Sequence, residues 1–151
     1  MSERVFLQNK KAYFNYAVLE KITAGVVLFG YEVKTLREGK GDLTGSFVSL
    51  DNRGEAWVEN WNLPRYSGCS LVKLDPRRRR KLLLEKKEIA KIQRALEQGG
   101  VTIVPLEVFL QENHLIKVRI ALVRGKKKWD KRERIKRKEE ERRMRGVLRG
   151  K

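Results

Sequence analysis

A mainly β protein with helices, built as a small antiparallel barrel, is the fold class this sequence predicts. Three observations carry that expectation. Short runs rich in Val, Ile, Thr, Tyr and Trp recur between turn-forming residues from Phe14 to Val123. Only one long stretch, starting at Leu82, has clear helical periodicity. The composition then changes abruptly at Gly125. Many short strands with few helices favour a barrel, and a barrel closed by a helix is the plan of the OB-fold, which commonly binds oligonucleotides.

Each element follows in order. NKKAY, Asn9 to Tyr13, is polar and carries two lysines. Phe14 to Leu28 reads as one long strand, or two strands sharing a kink at Gly25. GYEVKTLREGKGD, from Gly30, predicts one or two helical turns with Val33 and Leu36 on a narrow apolar stripe, stopped by Gly39 and Gly41. Ser46 to Leu63 reads as a hairpin turning at Asp51–Gly54, with Trp57, Trp61 and Leu63 on one inward face. Phe14 and Phe47 are also expected in the core. Pro64 to Ser70 is loop. The basic block DPRRRRK leads into an amphipathic helix in which Leu82, Ile89, Ile92 and Leu96 step by seven, three and four. Gly99-Gly100 ends that helix. Val101 to Leu110 is a strand pair, or one strand broken by Pro105, and Ile116 to Val123 alternates as a half-buried strand.

The organisation is therefore a core over residues 1–124 and a charged tail over residues 125–151. The tail holds fourteen Lys or Arg and five Asp or Glu, a net of +9 out of +17 for the 151 residues, so the core carries +8. A pI near 10.3 and this charge point to a polyanionic partner, nucleic acid before anionic membrane. The tail has the low hydrophobicity and high charge of a segment disordered when free. Its run from Lys126 to Arg145 lacks Pro and Gly, and its Glu-to-Arg spacing suits a helix formed against a polyanion. No apolar run has the length of a bilayer span, and the first residues lack a signal peptide's apolar stretch. Cys69 is the single cysteine, which fits a reduced, cytoplasmic setting and no internal disulfide. No coiled-coil pattern argues against a monomer.

The residues argue poorly for catalysis. His114 is the sole histidine and sits in the turn QENHL; a solvent-exposed turn residue is expected there, not a base or a metal ligand. No metal or other cofactor is expected. No nucleotide-loop or nucleophile-elbow motif occurs. The basic elements Lys10-Lys11, Lys34, Arg37, Arg77 to Lys81 and Lys126 to Lys128 lie before, between and after the strands, where folding can gather them against phosphates. Trp129, between KKK and DKR where no core can cover it, is read either as a stacking or docking residue or as an idle exposed ring. An OB-fold RNA-binding protein of no particular preference, and an OB-fold nuclease using carboxylate-held metal, remain alternative readings.

The motifs NKKA (Asn9–Ala12), AGVVLFGYEVKTLREGK (Ala24–Lys40), GSFV (Gly45–Val48), DPRRRRKLLLEKKEI (Asp75–Ile89), VTIVPLEVF and GKKKWDKRE, in that order and spacing, resemble the SmpB family, partner of transfer-messenger RNA in bacterial ribosome rescue. The resemblance implies an OB-type barrel without enzymatic activity. It implies binding to the transfer-RNA-like domain of transfer-messenger RNA and delivery to stalled ribosomes. It also implies a tail that folds in the empty messenger channel near the decoding centre of the small-subunit RNA. By motif it assigns RNA binding to Asn9, Lys10, Lys11, Glu32, Lys34, Arg37, Leu84, Lys126 and Lys127. It assigns decoding-centre contacts to Lys128, Trp129, Asp130, Lys131 and Arg132. The chain departs from the family's usual residues at Tyr13, Tyr31 and Glu85.

Overall fold

The structure is a computed structural model that describes residues 4–64, 75–112 and 114–125. The described residues form seven strands and three helices: β1 (Arg4–Gln8), α1 (Lys10–Asn15), β2 (Tyr16–Val26), α2 (Gly30–Arg37), β3 (Phe47–Leu50), β4 (Ala56–Glu59), β5 (Arg80–Leu83), α3 (Lys86–Gln98), β6 (Thr102–Leu110) and β7 (Ile116–Gly125). The sheet is antiparallel throughout, in the order β1-β6-β7-β2-β5-β4-β3. It curls until β3 packs against β6. No ladder joins those two strands among the described residues, so the barrel is closed by side chains at that seam.

Two layers of apolar residues hold the sheet. The barrel interior takes Ile22, Val48, Val58, Leu82, Ile103, Val118 and Ile120, with Leu36 of α2 and Ile92 of α3 plugging its openings. The other face of β6 and β7 is covered by α1 through Ala12, which packs with Val104, Leu106, Ala121 and Val123. β7 is therefore buried on both faces at its end, where alternation had predicted one wet face. Covering by six residues of helix is enough to change that, because Ala121 and Val123 are small.

Several expectations need correction. The first strand is not foreshadowed by the sequence pattern, and α1 occupies Lys10–Asn15, so the long strand starts at Tyr16 and not Phe14. The irregularity of β2 falls between Val18 and Glu20. Gly25 instead marks where β2 pairs with both β7 and β5, and a Cβ there would stand 3.2 Å from that of Leu83. Leu82 belongs to β5 opposite Ala56, so the long helix begins four residues later, at Lys86. β6 runs unbroken through Pro105, because a register shift between Pro105 and Glu107 removes the need for a proline N–H. Phe14 and Phe47 are 40% and 42% exposed, and Trp57 is half-buried on the outer face, so none of these three belongs to the core. Trp61 is fully buried: Asn60, with φ of 61°, ends β4 and turns the next side chain inward.

Candidate nucleic-acid interface

Two buried polar residues organise the basic surface. Asn9 caps α1, its Oδ1 accepting from the Ala12 N–H at 3.2 Å. Its Nδ2 donates to the Pro105 carbonyl at 3.0 Å and the Leu43 carbonyl at 3.3 Å, and its backbone N–H donates to the Leu106 carbonyl at 2.7 Å. The bulge at Pro105 supplies two of those carbonyls, Pro105 and Leu106. Asn9 is 4% exposed with both amide atoms bonded internally, so it acts by fixing α1, which holds Lys10 and Lys11 in solvent.

Glu32 is the second. It is 1% exposed. Its Oε1 accepts from the Phe29 N–H at 2.8 Å, which starts α2, and from the Arg78 guanidinium. Its Oε2 accepts from Arg80 Nε at 2.6 Å. Arg80 is as buried as Glu32, and it donates further to the Trp61 carbonyl at 2.5 Å and the Pro76 carbonyl at 3.0 Å. Burial pulls the Arg80 guanidinium below its ordinary pKa, and the Glu32 carboxylate opposes that. A buried charge of this kind stays in place only when paired and hydrogen-bonded, as here. The result ties α2 to the arginine run, and leaves Lys34 and Arg37 exposed in the last turn of α2.

The two anchors are joined by loop contacts. Asp42 and Asn62 exchange backbone hydrogen bonds at 2.9 and 3.1 Å, the Leu63 N–H reaches the Pro76 carbonyl at 2.9 Å, and Arg77 Nη1 donates to Asn60 Oδ1 at 2.8 Å. Thr35 Oγ1 binds the Pro64 carbonyl at 3.2 Å. The Thr44 N–H, 2.9 Å from Asp42 Oδ1, holds the Asp42 carboxyl below the usual carboxylate range, and the positive charges of Lys11 and Arg77 add to this.

Asn9 anchors α1, which carries Lys10 and Lys11, and Glu32 sits in α2 with Lys34 and Arg37; the loop hydrogen bonds above link the two anchors. Leu84 is elsewhere in kind: it lies half-buried in the link between β5 and α3, packed against the barrel interior. Lys126, Lys127, Lys128, Trp129, Asp130, Lys131 and Arg132 lie outside the described residues, as do Cys69 and Tyr66. Sequence reasoning missed the roles of Arg78 and Arg80 as partners of Glu32, and of Arg79, whose guanidinium sits 4.2 Å from the centre of the Trp57 ring. Alternation along the run was the available signal, obscured because four consecutive arginines show no pattern by identity. His114 is exposed in its turn with φ of 63°. Among the described residues no three His, Cys, Asp or Glu side chains gather as metal ligands, and no helix is long and apolar enough to cross a membrane. What the arrangement offers is exposed cations carried on two anchored helices, able to neutralise phosphates.

The SmpB protein family model matches residues 6–150. An SsrA-binding protein of Sulfurihydrogenibium is 48% identical over 151 residues, covering 100% of this chain and 98% of its own length. One from Bifidobacterium longum is 44% identical over 140 residues, covering 93% and 88%. A solved structure described as "tmRNA-SmpB: a journey to the center of the bacterial ribosome" is 44% identical, with a TM-score of 0.68 over 81% of this chain and 85% of that one.

Proposed function

The chain belongs to the SmpB family, and on that premise we propose that it binds transfer-messenger RNA and takes part in the rescue of stalled ribosomes. The observation that supports this is a pair of buried anchors: Asn9 fixes α1, which carries the exposed Lys10 and Lys11, and Glu32 fixes α2, which carries the exposed Lys34 and Arg37. A folded RNA is gripped by shape and backbone, and fixed cations suit that task. The partner surface is the transfer-RNA-like domain. The core of residues 1–124 makes this contact as a monomer in the cytoplasm, without catalysis.

The tail of residues 125–151 takes a second role. Its charge needs a polyanionic surface, and ordering it costs conformational entropy, so it folds only where ribosomal RNA surrounds it. A channel filled by a message excludes it. Lys126 and Lys127 extend the RNA grip, while Lys128, Trp129, Asp130, Lys131 and Arg132 act at the decoding centre.

Competition tests the first part. Labelled transfer-messenger RNA is displaced by its transfer-RNA-like domain, by ordinary transfer RNA or by random RNA, at two salt concentrations. Preference for the transfer-RNA-like domain that survives higher salt is expected. Equal displacement that collapses with salt would mean phosphate neutralisation alone. For the tail, replacing Asp130, Lys131 and Arg132 by Ala should spare RNA binding and abolish tagging of stalled products; an equal loss of both would overturn the division of labour.

A further inference from the structure

The outer face of β3, β4 and β5 carries an arrangement that the interface above does not use. Ser49, Trp57 and Lys81 form one cross-strand row, and Phe47 faces Glu59 in the next. These residues alternate with the buried Val48, Ala56, Val58 and Leu82, so they line the side of the sheet away from the barrel interior. Phe47 and Trp57 are diagonal neighbours, roughly 7–8 Å apart along the sheet. Phe47 is 42% exposed. The Trp57 indole is fixed by its Nε1, which donates to Asp51 Oδ2 at 2.9 Å, and it carries the exposed guanidinium of Arg79 over its ring.

The charges on this face are unevenly matched. Asp51 is taken up by the indole and by the N–H groups of Arg53 and Glu55, both at 2.9 Å. Glu59 accepts from Ser49 Oγ at 2.6 Å, and Glu55 lies 3.3 Å from Lys81. Among the described residues no carboxylate comes within ion-pairing distance of Arg79. Its neighbours differ: Arg78 and Arg80 are both bonded to Glu32. Arg79 is thus held in place by an aromatic ring while its N–H donors and its outward face remain open to a ligand.

We propose that this face is a second RNA site, which takes an unpaired stretch of RNA by base stacking on Phe47 and on the Arg79–Trp57 pair, with Arg79 and Lys81 placed for its phosphates. Stacked aromatic and guanidinium planes separated by a cation or two are the elements that single-stranded RNA needs and a folded duplex does not. Glu59, opposite Phe47 and two residues along β4 from Trp57, is positioned to accept from the amino group of a stacked base, so a base bearing one is favoured over uracil.

The test uses the full chain, a short labelled oligoadenylate and, in parallel, the labelled transfer-RNA-like domain. Replacing Phe47 and Arg79 together by Ala should weaken oligoadenylate binding by roughly tenfold or more and lower affinity for the transfer-RNA-like domain by a clearly smaller factor, since Phe47 borders the groove that Asn9 and Lys11 line. Oligouridylate should bind the native chain more weakly than oligoadenylate. Unchanged oligoadenylate affinity in the double variant would overturn the proposal, and would make the arginine–tryptophan stack structural only. Should the double variant lose both RNAs, Arg79→Lys decides, since it keeps the charge and removes the planar group: weakened oligoadenylate binding with the transfer-RNA-like domain retained supports the site, and equal affinity for both overturns it. Loss of transfer-RNA-like domain preference in the native chain would count against the rescue reading and not against this one.

Discussion

Glu32 is where one side chain decides the most. It starts α2, pairs Arg78 and holds Arg80, all inside the protein. Changing Glu32 to Gln keeps the shape and removes the charge, which leaves Arg80 buried without its counterion. Such a break costs about 3–5 kcal/mol, so the melting temperature should fall sharply and α2 should lose its register. A variant with native thermal stability would show that the Trp61 and Pro76 carbonyls suffice for Arg80. RNA affinity should drop with stability, although Glu32 itself presents no atom to a phosphate. The sequence motif marked both Glu32 and Asn9, but it could not separate a residue that touches RNA from one that positions those that do. That distinction depends on burial, and neither a lone Glu nor a lone Asn announces its burial.

Among the elements, α3 depends on a single fully buried side chain, Ile92. Replacing it by Ala should cost about 2–5 kcal/mol, measured by chemical denaturation; a loss under about 1 kcal/mol, the range of a mere volume-conserving swap, would mean that α3 does not plug the barrel. This helix was legible from its 3.6-residue period, as was the β3–β4 hairpin from its turn residues. The elements that escaped were short. β1 has five residues and α1 six, too few to establish a period, and both are fixed by distant partners: β1 by its ladder with β6, α1 by the carbonyls at the Pro105 bulge. β5 was hidden for another reason. Leu82 fits the spacing of the helix that follows as well as it fits the strand, and only its pairing with Ala56 and Val26 decides.

At the scale of the whole molecule, charge gives attraction and the framework gives shape. Replacing Lys34 and Arg37 by Ala should lower the slope of log affinity against log salt for the transfer-RNA-like domain by about 2, one per cation. An unchanged slope would place both residues off the RNA. The run Arg77 to Arg80 shows how finely that framework is set. Arg77 meets Asn60, Arg78 meets Glu32 across Phe29, Arg79 covers Trp57, and Arg80 fills the interior. Four identical letters occupy four unlike sites. Loss of any one codon of the four yields the same shortened protein, so inheritance cannot choose which arginine goes. The ladder partner Val58 still claims the last of them, and the Pro76 carbonyl still has to reach Leu63. The gap therefore falls between those fixed points whichever codon was lost. In a stretch that looks redundant when spelled out, length is under tighter constraint than spelling.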